Sequence, residues 1–452
     1  MSQTTESSAS WRPAYPAGFR ARRGVNWGFV GLSYASFYLC RYNLSFANKS
    51  ICDEFGFTKD QFGWILTAFF WAYAVGQMLN GLVTDRIGGK QALAIGAFAT
   101  VTLNALFGAA SFLGLLSAFI LVWMANGYLQ AFGAPGMIKI NTAWFSQRER
   151  GKFAGIFGFM IQLGRFAITQ LAPMLLAGFS LLWWTVPPLH WRFVFWVPAG
   201  IALIVTILMI LFVKNTPEAT GFTDVHPGEE DHAEPERAGL VESFRVIFSN
   251  RYVWIVALAY ACTGVVRQGI DQWFPRYMQE VHGISLKSAE FAWVAYGIPL
   301  VAVLGSLTSG FVSDTLFQGR RAPVAAILYF TETVVIVLAT IFAKGLASTT
   351  VFLILISFTV NSTHSILGTA AAMDIGGRRM AGTASGVIDS FQYYGGGLAG
   401  FLLGWLLEKY GWGSWLISLA GFGIIGGCLM LTIKDRKSLK TQPIEEVLLE
   451  VD

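Results

Sequence analysis

The sequence predicts an all-α membrane protein in which twelve transmembrane helices form two halves of six helices each. Of the 452 residues, 54% are hydrophobic and only 13% are charged, whereas average soluble chains contain about 25% charged residues. The apolar residues are concentrated in segments of about 20 residues, the length that a helix needs to cross a bilayer. One long polar stretch separates the first six segments from the last six.

The apolar segments define the predicted helices, and charged or turn-forming residues separate them. In the first half the segments are 26–47, 59–81, 91–111, 116–139, 152–178 and 191–213. In the second half they are 252–275, 288–312, 322–343, 349–372, 384–407 and 412–433. An even number of crossings predicts that both termini lie on one side of the membrane.

The distribution of basic residues predicts the orientation of these helices. The two tails and the loops that follow even-numbered segments carry most of the lysines and arginines outside the segments, among them Arg20, Arg86, Arg148, Arg321 and Lys437. Cytoplasmic loops carry an excess of Lys and Arg, so both termini are predicted to be cytoplasmic. The chain is therefore expected to be a multi-pass protein of the cell (inner) membrane, surrounded by the lipid bilayer.

The polar stretch between the halves predicts a linker. It contains Pro217, Pro227 and a run of acidic residues that begins at Glu229, a composition typical of flexible connections. The predicted regions are a cytoplasmic N-terminal tail at 1–25, an N-terminal six-helix half at 26–214, a cytoplasmic linker at 215–246, a C-terminal six-helix half at 247–435 and a cytoplasmic C-terminal tail at 436–452.

Two arginines lie inside apolar segments, one in each half. Arg41 lies in the first segment and Arg267 in the seventh, at matching positions of the two halves. A guanidinium group stays charged inside the membrane, so a carboxylate, water or an anionic ligand must compensate it. A structural arginine that snorkels or forms a salt bridge is the alternative. The symmetric pair favours one anion bound between the two halves.

Other motifs that carry chemistry are absent from the sequence. His, Cys, Asp and Glu form no metal-ligand cluster, and there is no nucleophile motif, haem signal or phosphate-binding loop. The four cysteines form no C-x-x-C motif. Gly396, Gly400 and Gly404 recur every four residues, a pattern typical of close helix packing in membranes. The sequence therefore predicts a protein that is not an enzyme, uses no cofactor or metal and binds no nucleic acid.

The loop after the second segment resembles the signature loop of the major facilitator superfamily. It reads Gly81-x-x-x-Asp85-Arg86-x-Gly88-Gly89-Lys90, and Gly310-Phe-Val-Ser-Asp314 echoes it in the second half. A finer resemblance is to the organophosphate:phosphate antiporter family, which includes the glycerol-3-phosphate and hexose-6-phosphate transporters. It covers roughly residues 26–435 and rests on Tyr38-Leu-Cys-Arg41-Tyr-Asn43-Leu-Ser45, Trp144-Phe-Ser-Gln-Arg-Glu149-Arg150-Gly151, Arg267-x-Gly269-Ile270-x-x-Trp273-x-Pro275-x-Tyr277 and Arg378-Arg-Met-Ala-Gly382-Thr383-Ala384.

This resemblance implies the major facilitator fold and the exchange of a phosphorylated metabolite for inorganic phosphate as the two halves rock. In that family, arginines of the first and seventh helices bind the phosphate, and Arg41 and Arg267 fall on those positions. The chain departs from the family where Gln77 replaces a lysine, Ile161 a histidine and Pro299 a glutamate. We therefore expect a divergent member of the family.

Further polar residues inside the segments are candidates for the same site. Arg165 is either another substrate cation or the partner of a buried carboxylate. Asp271, four residues after Arg267, either pairs with it along the helix or marks a helix end. The predicted substrate-binding residues are Arg41, Arg267, Arg165, Tyr38, Tyr42, Gln77, Gln162, Gln268, Asp389 and Tyr393. The predicted coupling or gating residues are Asp271, Asp389, Asp85 and Arg86.

Two carboxylates of the second half, Asp389 and Glu332, are predicted to be embedded. A buried carboxylate needs either a cation or a proton. Asp389 is expected near the site, where it either pairs with an arginine or carries a driving proton. Glu332 is expected to be structural, and His364 is expected to be a packed residue rather than a ligand.

Three functions remain open at this point. The first is a secondary transporter that exchanges a phosphorylated organic anion for inorganic phosphate, with these two anions as its partners. The second is a proton-coupled symporter of an organic carboxylate, and the third is a transporter-like sensor of a sugar phosphate. A monomer is expected in each case.

Overall fold

The structure is a computed structural model, and it describes residues 15–146, 149–181, 183–223, 225, 245, 247–317 and 320–433. Of residues 150–157, 181 and 369–384 it describes the backbone alone. Each of the predicted apolar segments falls on helix, which confirms the predicted all-α fold. Most of the predicted tails and linker lies outside the described residues, so those boundaries remain predictions.

The first half contains eight helices and a short hairpin within the described residues. The helices are α1 (Phe19–Leu39), α2 (Asn43–Phe55), α3 (Lys59–Ile87), α4 (Gly89–Ala110), α5 (Leu116–Gln130), α6 (Gly133–Trp144), α7 (Arg150–Ala177) and α8 (Phe193–Phe212). The hairpin between α7 and α8 pairs strands β1 (Phe179–Leu181) and β2 (Trp184–Val186) in antiparallel fashion.

The second half contains longer helices. They are α9 (Arg251–Val281), α10 (Ala289–Thr315), α11 (Arg321–Phe342), α12 (Leu346–Ser365), α13 (Ala372–Tyr410) and α14 (Gly413–Leu431). A short π-helix, Ile366–Ala371, joins α12 to α13. A 3₁₀ turn, Glu218–Thr220, follows α8. The bundle therefore has a terminal side, where α1 begins and α14 ends, and an opposite side.

Two predicted segments are broken rather than continuous. The first is split into α1 and α2 at residues 40–42, and the fourth into α5 and α6 at residues 131–132. Pro135 lies in the first turn of α6, where its missing N–H leaves no helical hydrogen bond unmade. Arg41 lies in the first break and Gln130 ends α5 beside the second, so both interruptions are close to the predicted site.

Local capping fixes where two helices begin on the opposite side. At the start of α3, Thr58 and Gln61 cap each other's backbone N–H groups in a capping box. At the start of α10, the Ser288 side chain accepts a hydrogen bond from the backbone N–H of Phe291. Gly56, at φ +67°, ends α2 in a left-handed conformation that favours glycine.

The two halves meet closely where α3 packs on α13. A Cβ atom on Gly63 would lie 2.4 Å from the carbonyl oxygen of Gly400, and one on Gly400 would lie 2.4 Å from Oγ1 of Thr67. A Cβ atom on Gly404 would lie 2.5 Å from the carbonyl oxygen of Lys59. These glycines therefore let two backbones approach each other, as the small-residue pattern of α13 predicted.

Helix length and composition agree with a membrane protein. Within the described residues, 10 helices are long and apolar enough to cross a bilayer. Large hydrophobic side chains are exposed around the bundle, including Leu121, Ile204, Leu307, Phe311 and Ile417. Exposed apolar groups of this size are expected where the surroundings are lipid.

Candidate anion-binding site

Arg41 is buried in the break between α1 and α2, with 3% of its surface exposed. Its Nε donates to Oε1 of Gln130 at 2.6 Å, and its Nη1 donates to the hydroxyl of Tyr393, in the other half, at 3.5 Å. Its guanidinium carbon lies 4.3 Å from the ring centre of Tyr73 and 4.6 Å from that of Tyr38. Nη2 is buried and has no hydrogen-bond partner among the described residues.

Arg267 is its counterpart on α9, with 4% of its surface exposed. Its Nε is buried and lacks a hydrogen-bond partner in the described part of the chain. Its charge interacts with Tyr42, Asp271, Tyr38 and Tyr393. Neither this arginine nor Arg41 faces lipid, so the first requirement for a shared anion site is met.

The two arginines border the same group of side chains. The rings of Tyr38 and Tyr393, one from each half, lie with their centres 4.6 Å and 5.9 Å from the Arg41 guanidinium carbon, and the Arg267 charge acts on the same two side chains. Asp389 also interacts with both. Two buried guanidinium groups with unused N–H donors can hold the oxygens of one phosphate or carboxylate through charge-assisted hydrogen bonds.

Among the described residues Asp389 forms no ion pair with an arginine, contrary to one of the two predicted alternatives. Its Oδ2 accepts a hydrogen bond from Nε2 of Gln77 at 2.8 Å, across the interface between α3 and α13. Both side chains are partly exposed. Two residues predicted at the site are therefore brought together from opposite halves, but as a carboxylate–amide pair.

Arg165 and Asp271 form an ion pair between the halves. Nη2 of Arg165 lies 2.5 Å from Oδ1 of Asp271, and the two side chains are 6% and 5% exposed. The guanidinium group lies 5.0 Å from the ring centre of Tyr42. Of the two alternatives for Arg165, the structure has the pairing with a buried carboxylate. Neither alternative for Asp271 holds. Its carboxylate pairs with Arg165 of the other half rather than with Arg267, and it lies ten residues before the end of α9.

A cavity of about 20 Å³ adjoins this ion pair and is lined by Tyr42, Ser45 and Pro299 among others. Nη1 of Arg165 and Oδ2 of Asp271 are buried without partners among the described residues. A space of this size accommodates one water molecule, which needs polar partners of this kind.

The predicted glutamines also lie near the site. Nε2 of Gln268 lies 3.5 Å from the hydroxyl of Tyr42, and Oε1 of Gln268 accepts from Gln272 at 3.3 Å. Gln162 is half-buried on α7, and its Oε1 has no partner among the described residues. An amide can turn either its donor or its acceptor toward a ligand, so these side chains suit an anion with hydroxyl groups.

A second set of contacts joins the halves on the opposite side. Arg276 of α9 donates to Asn48 of α2 at 2.8 Å and, within its own helix, to Glu280 at 2.6 Å. The Lys59 ammonium lies 3.2 Å from Glu280, and its backbone N–H donates to Glu408 at 2.9 Å. Within the described part of the chain, the polar contacts between the halves lie at the site or toward the opposite side. The structure is thus closed on that side.

Asp85 and Arg86 are not at the site. Both are exposed at the end of α3 on the terminal side. Nζ of Lys139 lies 3.4 Å from Oδ1 of Asp85 and donates to the Asp85 carbonyl oxygen at 2.7 Å. A lysine that satisfies carbonyls at a helix end is favourable, because it also meets the negative end of the helix dipole.

Glu149 ties α1 to the start of α7 on the same terminal side. Nη1 of Arg23 donates to its Oε2 at 2.7 Å, and the Tyr15 hydroxyl donates to the same oxygen at 2.7 Å. Burial raises the pKa of Glu149, but the hydrogen bonds from Arg23 and Tyr15 outweigh this effect, and the pKa lies below its ordinary value. These contacts lie within the first half and hold its terminal side together.

Glu332 and His364 lie apart from the two arginines' direct contacts. Glu332 is fully buried on α11, and neither carboxylate oxygen has a partner among the described residues. His364 places Nδ1 2.6 Å from the hydroxyl of Tyr260. The histidine is therefore a partnered, packed residue, as expected. The sequence did not indicate that Glu332 has no hydrogen-bond partner within the described part of the chain.

Several residues of the site were missed at the sequence level. Gln130 is a polar residue inside an apolar segment. A polar side chain in such a segment indicates a functional position, as it did for the two arginines. Tyr73 and the opposite-side residues Asn48, Lys59 and Arg276 offered weaker signals, because tyrosine is common in membrane helices and the others lie close to helix ends.

Known proteins resemble this chain along most of its length. A family model described as Major Facilitator Superfamily matches residues 30–400. The glycerol-3-phosphate transporter of Bacillus subtilis (strain 168) is 29% identical over 421 residues, which cover 90% of each chain. The membrane sensor protein UhpC of Escherichia coli (strain K12) is 28% identical, covering 89% of this chain and 90% of its own. A probable hexose phosphate transport protein of Chlamydia trachomatis is 27% identical, covering 88% of both.

Two solved structures have a similar fold at much lower sequence identity. A bacterial homologue of the human lysosomal transporter Spinster, in an inward-facing and unoccupied conformation, aligns with a TM-score of 0.75 at 16% identity, covering 93% of this chain and 99% of its own. A mutant of the nucleoside transporter NupG aligns with a TM-score of 0.67 at 14% identity, covering 91% and 100%. These likenesses concern the fold alone.

Proposed function

Because the chain belongs to the major facilitator superfamily, a family of multi-pass membrane transporters rather than enzymes, we propose that it is a secondary active transporter of a phosphorylated organic anion. It exchanges this anion for inorganic phosphate by alternating access. The curated relatives confirm the predicted resemblance to the organophosphate:phosphate antiporter family and the multi-pass location in the cell membrane. At 25–29% identity among several of them, the chain is a divergent member.

The observation that carries this proposal is the pair of buried arginines. Arg41 and Arg267 come from opposite halves, border the same tyrosines and keep buried guanidinium N–H groups without protein partners among the described residues. A buried unpartnered donor is costly, and the cost falls when an anion supplies the missing acceptor. Two guanidinium groups balance the charge of a phosphomonoester dianion. Each half of the protein supplies one of them.

The contacts between halves support alternating access. The closed opposite side depends on cross-half contacts such as Arg276 to Asn48 and Lys59 to Glu280, and these must separate when that side opens. An anion held by both arginines draws the halves together at the site and lowers the cost of moving between the two states. Phosphate and organophosphate share the phosphoryl group, so each can load the site in turn.

Proteoliposomes that contain the purified full chain and trapped inorganic phosphate test this proposal. We expect uptake of radiolabelled phosphate against the trapped phosphate, with no need for a proton gradient. Glycerol 3-phosphate or a hexose 6-phosphate should inhibit that uptake. Liposomes without protein, or without trapped phosphate, serve as controls. Absence of exchange in correctly inserted protein would overturn the proposal.

A proton-coupled symporter is the second candidate, and a specific observation favours it. Neither Asp389 nor Glu332 has a direct ion-pair partner among the described residues, and an unpaired embedded carboxylate can carry a proton in a transporter. Symport requires that a proton gradient drive accumulation of an organic carboxylate into liposomes that contain no phosphate.

A sensor is the third candidate because UhpC, one of the relatives described above, is named as a membrane sensor protein. For a sensor, the same liposomes show ligand binding without flux of either anion. The three candidates therefore give exchange, gradient-driven uptake or binding alone in a single preparation.

A further inference from the structure

Asp389 is an acidic group inside a site that is otherwise built for an anion. Its charge interacts with Arg41 and with Arg267, and one of its oxygens accepts from Gln77. The side chain remains partly exposed. The proposed contacts between the arginines and a phosphate do not involve this carboxylate. Its negative charge repels a bound phosphate.

The balance of charge around Asp389 indicates that the carboxylate needs a cation when an anion is bound. The two arginines already offset a phosphomonoester dianion, which leaves the carboxylate without a cation when such a ligand is bound. A ligand with both a phosphate and an ammonium group supplies that cation itself. The whole site is then neutral, a favourable condition for a group of charges in a low-dielectric interior.

The surroundings of Asp389 also suit an ammonium group. Tyr73 on α3 and Tyr393 on α13 lie one helical turn from Gln77 and Asp389, and their ring centres are 4.3 Å apart, so aromatic rings from both halves lie beside this pair. Aromatic faces attract ammonium groups. The Gln77 hydrogen bond comes from the other half and fixes one carboxylate oxygen across the interface.

We propose that Asp389 is a cation subsite for the ammonium group of a zwitterionic aminoalkyl phosphate or phosphonate, whose phosphoryl group lies between Arg41 and Arg267. This assignment rests on the proposed function and narrows its substrate class. Gln77 is a positioning residue for the carboxylate. The ligand joins both halves twice, once through its phosphate and once through Asp389 and its partner Gln77.

Competition against phosphate exchange tests the subsite. Proteoliposomes with the full chain and trapped phosphate take up radiolabelled phosphate in the presence of either phosphoethanolamine or 2-hydroxyethyl phosphate, which has a hydroxyl group in place of the ammonium group. We expect the half-inhibiting concentration of phosphoethanolamine to be about tenfold lower, a difference of about 1.4 kcal/mol. Asp389→Asn should bring the half-inhibiting concentrations of the two compounds together, whatever its own rate of phosphate exchange.

A matched control is Glu332→Gln, which neutralises another carboxyl group of the second half outside the site. It should keep the preference for phosphoethanolamine. Equal inhibition by the two compounds in the unmodified protein overturns the subsite while the proposed function stands, and this readout needs no variant. A preference that survives in Asp389→Asn also overturns it. Loss of proton-driven accumulation in Asp389→Asn, with no ammonium preference beforehand, assigns the carboxylate to a proton instead. Failure of all phosphate exchange counts against the proposed function itself.

Discussion

Arg165 of the first half and Asp271 of the second half form a buried ion pair with 2.5 Å between Nη2 and Oδ1. Asp271 lies one helical turn from Arg267, and the Asp271 charge also acts on that arginine. The pair therefore connects the interface between the halves to the proposed phosphate contacts. Any movement that separates α7 from α9 must break it.

Replacing Arg165 by Gln is expected to weaken phosphate binding. Asp271 then loses its partner and competes with the substrate for Arg267, although Arg165 itself need not touch the anion. Removing one member of a buried pair also destabilises the fold by about 3–5 kcal/mol, because a charge is left unpaired. The half-saturating phosphate concentration for exchange and the melting temperature in detergent measure the two effects.

The double variant Arg165→Gln with Asp271→Asn is the control for this pair. It removes both charges, so its melting temperature should lie above that of Arg165→Gln alone. If Arg165→Gln binds phosphate as tightly as the unmodified protein, the pair has no influence on the site.

Weakening the opposite-side contacts should open that side. Lys59→Ala with Glu280→Gln removes the ammonium–carboxylate contact of 3.2 Å between the halves. Cys52 is a natural reporter, since it is 4% exposed and contacts Arg276 at 3.1 Å. In a Cys428→Ser background, a membrane-impermeant maleimide should label Cys52 several times faster in the double variant, because the closed state loses an interaction of about 0.2–1 kcal/mol or more.

Saturating inorganic phosphate provides a comparison in the same labelling assay, because it shifts the populations of the two states without any substitution. Cys52 labelling that is the same in the unmodified protein and the double variant would show that these contacts do not control access. Cys40 and Cys262 are buried, so they add little background to the labelling.

Close packing of α3 on α13 should be needed for closure on the opposite side. Gly400→Ala adds a Cβ atom 2.4 Å from Oγ1 of Thr67 and 2.5 Å from the carbonyl oxygen of Gly63, so one helix must move. Overpacking of this kind costs about 1–3 kcal/mol. We expect faster Cys52 labelling and slower phosphate exchange. The matched control is Gly421→Ala on α14, where an added Cβ atom meets nothing within 4 Å; similar behaviour of both variants would contradict this role.

The sequence predicted the helices and the burial of the two central arginines for physical reasons that act locally. Apolar segments of membrane length indicate helices, and a charge inside such a segment indicates a site, as for Arg41 and Arg267. The break at residues 40–42 escaped prediction because the apolar pattern continues through it. The second break, where α5 ends at Gln130, lies inside the predicted segment 116–139, and the nearby Pro135 was not used to predict it.

Side-chain pairs between the two halves could not be predicted from the sequence, for a different reason. Asp271 has an arginine one turn away along its own helix, and that local partner is the simplest one to predict. The actual partner, Arg165, is distant in sequence and is brought close only when α7 packs beside α9. The hydrogen bond from Gln77 to Asp389 likewise depends on tertiary packing.

Arg41 and Arg267 together hold one phosphate in the proposed mechanism, and phosphate self-exchange in proteoliposomes tests this most directly. The variants are Arg41→Lys and Arg267→Lys, with Arg192→Lys as a control, since Arg192 pairs with Glu54 at 2.8 Å within the first half. Lysine keeps the charge but not the bidentate fork, and a charged hydrogen bond is worth about 1.5–3 kcal/mol. Each of the first two variants should therefore lose roughly tenfold or more of the exchange rate at low phosphate, while Arg192→Lys stays near the unmodified rate. Unmodified rates in both Arg41→Lys and Arg267→Lys would contradict the claim.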